Sequence, residues 1–180
     1  ILMVGRVVPN KGHRDLIDTF TVYNRYYSSK SRLLIVGKID DKLIGYADYI
    51  RKRIKGYGLE KKVILTGEVS DAELKMYYLM AKVFLMTSQQ WMCLNCAVLT
   101  MSMKIPIVSY GSCAISGTVG RAGLVWDRMD PYLMASSVNM IVENEDIYYS
   151  LGEIGWRRYK SEFTNDVIRE KFLKVIGNLL

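Results

Sequence analysis

Six short apolar runs mark this chain, and longer stretches with helical periodicity separate them. The runs are rich in Val, Ile and Leu, whereas the intervening stretches place apolar residues every three or four positions. Strands that are apolar on both faces must be covered by helices on both sides, so this order predicts an α/β fold built on a parallel sheet. The strands are expected at residues 1–4, 33–37, 63–67, 83–86, 106–109 and 124–126.

The helical stretches complete a doubly wound, Rossmann-like parallel sheet of about six strands flanked by helices. Sheets of this type bind ligands at the carboxyl ends of their strands. Ser70, followed three residues later by Glu73, has the spacing of a capping box and predicts a helix start there. Further helices are expected after Gly12 and at residues 41–57, 96–103, 131–142, 147–161 and 166–180.

Length and composition suit one ordinary globular domain, which we place at residues 1–180. Half of the residues are hydrophobic and 24% are charged. No apolar run approaches the roughly 18 residues that a transmembrane helix needs. Three cysteines do not form a disulfide framework and are typical of a reducing compartment, so a cytoplasmic location is expected.

The formal net charge of +7 favours anionic partners such as phosphates, acidic lipid headgroups or nucleic acid. Two denser basic runs, at residues 51–55 and 157–160, fall within stretches of helical periodicity. Solvated helix faces account for such runs without any ligand, and we interpret both in this way. We therefore expect no nucleic acid as a partner, and we predict at most a peripheral contact with membranes.

Short motifs along nearly the whole chain resemble those of one enzyme family, and they come in the same order. They resemble the C-terminal, donor-binding domain of a GT-B retaining glycosyltransferase of the group 1, family 4-like type. VGRVVPNKG resembles the family's opening G-R…K-G motif, and LLIVGK resembles its second strand. Four later segments of the family are resembled by VILTGEVSDAEL, KIPIVSY, AGLVWD and LGEIGWRRYKSEFT. The resemblance implies a nucleotide-sugar-binding domain from which the N-terminal acceptor domain is absent.

The same resemblance implies roles for several loop residues. Arg6 follows the first strand, and Lys11 precedes the first helix, whose N-terminus attracts anions. By resemblance, these two cations bind the diphosphate of the donor and stabilise the leaving nucleotide. Gly5, Gly67 and Val69 are implied to line the same nucleotide site. The donor is implied to be a nucleotide diphosphate sugar, with no metal or other cofactor.

The segment at residues 88–106, SQQWMCLNCAVLTMSMKIP, departs from the family pattern. By resemblance it should carry two glutamates eight residues apart, one beside the transferred sugar and one binding the ribose hydroxyls. Trp91 and Leu99 occupy those positions, and neither side chain can accept a hydrogen bond from a diol. Met92 replaces the glycine that follows the first glutamate. These replacements predict that this chain alone is inactive.

A second departure lies after the fifth strand, where Ser116-Gly117 stand in place of the family's Pro-Glu pair, before Thr118. The residues that we expect to line the cleft are Trp91, Met92, Cys93, Ser116, Gly117 and Thr118. We also expect Arg6, Lys11, Gly67 and Trp91 to share one rim of this cleft.

Cys93 and Cys96 form a C-x-x-C pair, which in other folds is a redox or metal motif. Here the pair follows the fourth strand, and only Cys113 and the distant His13 remain to complete a zinc site. We therefore predict packing roles, reduced thiols and no bound metal. His13 has no nucleophile motif beside it and lies in the first turn of a helix, so we predict a surface or capping role.

Functions of different classes remain open. In the first, the chain is the donor domain of a retaining hexosyltransferase, acting in glycan or lipopolysaccharide synthesis together with its N-terminal domain. In the second, it is an inactive pseudo-glycosyltransferase domain that binds a partner subunit. A third interpretation is a regulatory flavodoxin-like domain that binds some phosphate-containing ligand other than a nucleotide sugar. In either of the first two cases we expect weak binding of a nucleotide sugar, because the carboxylate positions are replaced.

Overall fold

The computed structural model describes residues 1–88, 94–111 and 113–177, without the side chains of Asp41, Cys113 and Ala114. These residues form a six-stranded parallel sheet with the order β3-β2-β1-β4-β5-β6. The strands are β1 Leu2–Val4, β2 Leu33–Val36, β3 Val63–Gly67, β4 Phe84–Met86, β5 Ile107–Tyr110 and β6 Gly123–Trp126. The predicted doubly wound sheet is therefore confirmed, and every strand lies within one residue of its expected position at each end.

Eight α-helices lie in the described ranges. They are α1 His13–Tyr26, α2 Ile44–Gly56, α3 Asp71–Met80, α4 Leu94–Ser102, α5 Cys113–Val119, α6 Pro131–Glu143, α7 Glu145–Glu162 and α8 Asn165–Gly177. The predicted capping box of α3 is present, since the Ser70 hydroxyl accepts from the Glu73 amide and the Glu73 carboxylate accepts from the Ser70 amide.

Two differences from the expected helices have local causes. The helix expected at 41–57 begins as a 3₁₀ turn over Asp41–Leu43, because the Asp40 carboxylate accepts from the Lys42 amide and closes that turn first. The α-helical part starts at Ile44. Helix α5 was not predicted: it has seven residues and contains Gly117, which weakens any helical signal in the sequence.

Alternate strand residues face two apolar cores, one on each side of the sheet. Met3 and Ile35 belong to the first core, and their neighbours Leu2 and Val36 belong to the second. Helices α1, α2 and α6 contribute to the first core, whereas α3, α4 and α5 contribute to the second. Coverage on both faces removes the apolar strands from water and leaves the ends of the strands as the place for a ligand.

The interpretation of the two basic runs as solvated helix faces is correct for most of their residues and wrong for one arginine in each. Arg53 on α2 holds Asp18 of α1 through both carboxylate oxygens, at 2.6 and 2.7 Å from one nitrogen. Arg158 on α7 donates to the carbonyls of Gly117 and Thr118 at 2.6 and 2.8 Å. Each of these arginines therefore ties two helices together.

Helix α8 differs from the other helices because none of its residues from Asn165 to Gly177 is buried. Its exposed side chains include large apolar ones, among them Ile168, Phe172 and Val175. Within residues 1–88, 94–111 and 113–177, no helix combines the length and the apolar character required to cross a bilayer.

Candidate functional site

A glycine lies at or directly after the end of β1, β2 and β3, at the carboxyl edge of the sheet. Gly5, Gly37 and Gly67 are linked in a row: Gly5 donates to the carbonyl of Val36, and Gly37 donates to the carbonyl of Gly67 at 3.0 Å. The contact between Gly37 and Gly5 is so close that a Cβ on Gly37 would lie 2.2 Å from the Gly5 oxygen. The three strand ends therefore form a tight backbone floor with no side chains of their own.

The loop between β1 and α1 is fixed against the end of β4. Residues Pro9–Lys11 form a 3₁₀ turn, and Gly12 then adopts a left-handed conformation with φ of 69° before α1 begins. The Thr87 hydroxyl donates to the Gly12 carbonyl at 2.9 Å. A Cβ on Gly12 would lie 1.9 Å from the backbone carbonyl oxygen of Thr87, so only glycine fits here. The loop is thus held rigidly beside the glycine floor.

Arg6 lies at the exposed rim of this floor, with cationic neighbours from the next strand. It lines a cavity of about 260 Å³ together with Lys38, Asp40 and Lys42. Lys38 also lies 3.8 Å from the carboxylate of Glu68, in a pair in which both side chains are mostly exposed. The three cations Arg6, Lys38 and Lys42 outnumber the carboxylates of Asp40 and Glu68, so the rim keeps a net positive charge. Lys38 and Lys42 were missed in the sequence, although both follow β2 and adjacent parallel strands end at the same edge.

Lys11 is placed differently from Arg6, because it is 9% exposed and its chain runs over the glycine floor. Its Cδ and Cε atoms lie 3.7 and 3.8 Å from the position that a Cβ on Gly5 would take. The structure therefore leaves Arg6, which follows Gly5 in the chain, exposed, whereas the side chain of Lys11 is largely buried and packs close to Gly5. Gly67 belongs to the same floor, whereas the half-buried Val69 packs against the second core.

His13 corrects a sequence prediction. Its side chain is fully buried and makes no capping hydrogen bond, so a surface or capping role is wrong. Burial lowers the pKa of His13 to about 4, with a smaller opposing contribution from the Val8 backbone and a further lowering by Lys11. The ring packs edge-on to Tyr46 of α2, with centroids 6.1 Å apart. A neutral imidazole therefore packs beneath the loop that carries Lys11.

A second cavity lies at the same edge of the sheet, at the ends of β5 and β6. It has a volume of about 630 Å³ and is lined by Tyr110, Gly111, Ser116, Val125, Trp126, Asp127, Arg128 and Met129. The Tyr110 hydroxyl donates to Asp15 of α1 at 3.3 Å, which joins this side of the edge to the first helix. Of the three α5 residues expected in the cleft, Ser116 lines this cavity.

The other two α5 residues are held by a distant arginine. Arg158 binds the carbonyls of Gly117 and Thr118, and Thr118 is buried while Gly117 is exposed. Leu99, at the second carboxylate position, lies on α4 with 37% of its surface exposed. Trp91, Met92 and Cys93 lie outside the described residues, so the shared rim of Arg6 and Trp91 stays a prediction.

Cys96 packs against the second core, as predicted, and its thiol lies 3.5 Å from the Val4 carbonyl at the end of β1. Among the described residues, no three His, Cys, Asp or Glu side chains are grouped so that they could hold a metal ion. The reduced state of Cys93 and Cys96 and the expectation that they bind no metal stay predictions.

This arrangement can hold an anion more readily than it can move a proton. The backbone of three strand ends and the Lys11 side chain meet at Gly5, Arg6 follows Gly5 in the chain, and α1 begins two residues after Lys11. Such groups favour phosphate oxygens. Position 99 carries a leucine, so it supplies no carboxylate that could accept a hydrogen bond from a sugar or a ribose. The buried neutral His13 packs in the protein interior, away from solvent.

A family model described as glycosyl transferases group 1 matches residues 1–144. Mannosylfructose-phosphate synthase of Agrobacterium fabrum is 27% identical over 180 residues, which are 98% of this chain and 40% of that protein. The capsular polysaccharide biosynthesis glycosyltransferase CapM of Staphylococcus aureus is 23% identical over 98% of this chain and 45% of its own length. The chain thus spans less than half the length of both relatives.

Solved structures show the same fold at low sequence identity. HepE of Anabaena, in complex with UDP and glucose, superposes with a TM-score of 0.85 at 16% identity, over 98% of this chain and 48% of HepE. The C-terminal domain of the glycosyl transferase group 1 protein LpcC from Francisella tularensis gives a TM-score of 0.79 at 15% identity, over 91% of this chain and 86% of that domain.

The match to an isolated C-terminal domain fits the partial coverage of the longer relatives. The family model covers residues 1–144, which include all six strands and the loops that surround the glycine floor. On this basis, the chain belongs to the glycosyl transferases group 1 family.

Proposed function

We propose that this chain is the donor-binding domain of a retaining glycosyltransferase and that it holds the diphosphate of a nucleotide sugar at the glycine floor. The observation that carries the proposal is the placement of two cations beside the glycine floor: the exposed Arg6, which follows Gly5, and Lys11, whose side chain packs close to Gly5 just before α1 begins. Backbone without side chains lets a diphosphate approach closely, and the two cations offset its charge. No metal is required in this proposal, because these cations supply the positive charge.

The relatives support the substrate class. HepE was solved with UDP and glucose, and CapM is named for capsular polysaccharide biosynthesis. We extend this to a nucleotide sugar donor and a role in glycan synthesis for the present chain. The acceptor is then bound by a further domain, since the chain spans under half of these relatives. A cytoplasmic location, with contact between the basic surface and acidic headgroups, fits the net charge of +7.

Helix α8 supports the proposal of a missing partner. The apolar side chains of Ile168, Phe172 and Val175 are more than half exposed, although they repeat at helical spacing. Isolated apolar side chains on a surface are ordinary, but a row along one helix marks a contact surface. We propose that the remainder of the longer protein, or a partner subunit, covers this row.

Weak donor binding follows from the replaced carboxylates. A carboxylate that accepts from a ribose diol contributes about 1.5–3 kcal/mol for each charge-assisted hydrogen bond. Losing one such bond weakens binding about tenfold to a hundredfold. Leu99 is partly exposed, so we expect a glutamate at this position to reach solvent. The replacement of both carboxylates also supports the second candidate function, an inactive domain that has kept the fold and the phosphate site.

Calorimetry with UDP and with UDP-glucose tests the proposal. The parent chain should bind both weakly and about equally, and Arg6→Ala should weaken binding about tenfold. Lys52→Ala is the matched control, since it removes one positive charge from an exposed position on α2. Higher salt should weaken binding of the parent, because exposed charges are screened. Equal effects of Arg6→Ala and Lys52→Ala would refute the assigned phosphate site.

A second pair of variants separates the two candidate functions. Trp91→Glu combined with Leu99→Glu should tighten UDP-glucose binding if the remaining pocket is that of a donor domain. Unchanged affinity in a folded double variant would favour the interaction module. Micromolar, sugar-selective binding by the parent chain would show that the replaced carboxylates are not needed and that the inactive reading is wrong.

A further inference from the structure

Three tyrosines surround a cavity on the outer surface of α1, at the end of α2 and the start of α6. Tyr26, Tyr57 and Tyr132 are 62%, 43% and 64% exposed, although each has a large apolar ring. With Asp18, Thr21 and Arg25 they line a cavity of about 290 Å³. We call these six residues the tyrosine groove. None of them belongs to the loops around the glycine floor.

The groove extends beyond this first cavity. A second cavity of about 420 Å³ shares Thr21, Arg25 and Tyr57 with the first and continues towards Asn24, Ser29 and Lys62. Because three residues line both cavities, the two cavities lie next to each other. Two adjacent cavities suit a chain molecule better than a compact ligand.

The walls of the groove are held in place by hydrogen bonds. The Tyr57 hydroxyl donates to Asp18 at 3.1 Å, and Arg53 binds both oxygens of the same carboxylate. The rings of Tyr26 and Tyr132 lie with centroids 6.3 Å apart and planes tilted by 42°, so they do not stack face to face on each other. Each of them therefore keeps ring surface available to a ligand, on a backbone that belongs to regular helices.

The charges in the groove are unequal. The negative charge of Asp18 is offset by Arg53, which binds it in a bidentate manner. Arg25 is exposed, and the Lys62 ammonium is bonded to the neutral Asn24 amide oxygen at 2.7 Å. Two positive charges thus remain to attract an acidic group along the groove.

We propose that the tyrosine groove is a second binding site, specific for an acidic oligosaccharide. Tyrosine rings offer flat apolar faces to the C–H faces of sugar rings, with a hydroxyl at the rim for hydrogen bonds. Arg25 and Lys62 bind carboxylates of the sugar units, and Arg25 can do so in a bidentate manner. Membership of a glycosyltransferase family favours a glycan over a peptide as the occupant. The site would retain a glycan chain on this domain independently of the donor.

Calorimetric titration of the 180-residue chain with hexagalacturonate tests the proposal, with neutral maltohexaose and a proline-rich decapeptide as comparison ligands. Hexagalacturonate should bind with a Kd of roughly 10⁻⁴ M, and maltohexaose about tenfold more weakly. The variant Tyr26→Ala with Tyr132→Ala should weaken hexagalacturonate binding at least about tenfold. Arg25→Ala should weaken it about fivefold and should reduce the preference over maltohexaose.

Matched variants separate the groove from general effects. Tyr149→Ala removes an exposed tyrosine of α7, and Arg169→Ala removes an exposed charge of α8; neither residue lines the groove. Both should bind like the parent, and saturating UDP should not change the affinity for hexagalacturonate. The proposal is overturned if hexagalacturonate does not bind saturably, if the decapeptide binds in its place, or if control and groove variants weaken binding equally.

Discussion

The buried His13 should make the stability of this domain depend on pH. Its side chain is inaccessible to solvent, and burial lowers its pKa from 6.5 to about 4. Above pH 6.5 the imidazole is neutral in both the folded and the unfolded state. Between pH 6.5 and 4 the unfolded chain binds a proton that the folded chain does not, so the free energy of unfolding decreases as the pH falls.

The size of this effect follows from the two pKa values. A difference of about 2.5 between them corresponds to about 3 kcal/mol of lost stability once the pH is well below 4. At pH 5.5 the loss is about 1.4 kcal/mol. For a domain of this length, that lowers Tm by about 3–6 °C relative to pH 7.5.

Thermal unfolding at pH 7.5 and 5.5 measures this loss, with His13→Phe and His13→Gln as variants that cannot titrate. Both variants should show a Tm difference between the two pH values that is smaller than that of the parent by about 3–6 °C. Other titrating groups are common to all three proteins, so their contributions cancel. An equal pH dependence in the parent and both variants would refute the assignment of a neutral buried imidazole.

Two further predictions concern the loops at the ligand edge. In denaturant titrations, Gly12→Ala should lower the free energy of unfolding by at least about 3 kcal/mol, because its Cβ would meet the backbone carbonyl oxygen of Thr87. Gly58 has a similar φ of +67° but open space around it, so Gly58→Ala should lower the free energy of unfolding by only about 1 kcal/mol. Arg158→Ala should cost about 2 kcal/mol through its two bonds to α5 carbonyls, whereas the exposed Arg157→Ala should stay within about 0.5 kcal/mol in the same assay. Similar losses within either pair would contradict the geometric explanation.

The strands and most helices could be predicted because their signals are local. Runs such as Leu33–Val36 are apolar on both faces, and the Ser70 capping box lies within four residues. The parallel orientation of β1 to β5 then follows from the helices predicted between consecutive strands. Such signals depend on near neighbours along the chain and so survive without knowledge of the tertiary structure.

The features that were missed depend on contacts between distant residues. Arg158 appeared to be part of a solvated basic run, but it reaches across 40 residues to the carbonyl of Thr118. His13 occupies the first turn of a helix, where side chains are often exposed, yet the packing of α2 against α1 encloses it. Lys38 and Lys42 join Arg6 only because β2 pairs with β1. The two members of each of these contacts lie too far apart in the chain for a local sequence pattern to reveal them.

The glycines of the G-R…K-G motif and the cations beside them carry different information about function. Gly12 of the motif is required by its steric contact with the Thr87 carbonyl, and Gly37 after β2 is required by its contact with the carbonyl of the motif's Gly5. Both contacts would be needed to close the fold even in a domain that binds nothing. The exposed Arg6 is not required by any such contact, and it lines a cavity with two lysines and one aspartate, Asp40. The presence of the glycines therefore supports the fold, whereas Arg6 and its cationic neighbours support a phosphate site. For this reason the Arg6→Ala titration, and not the integrity of the motif, tests whether this domain binds a phosphate group at all.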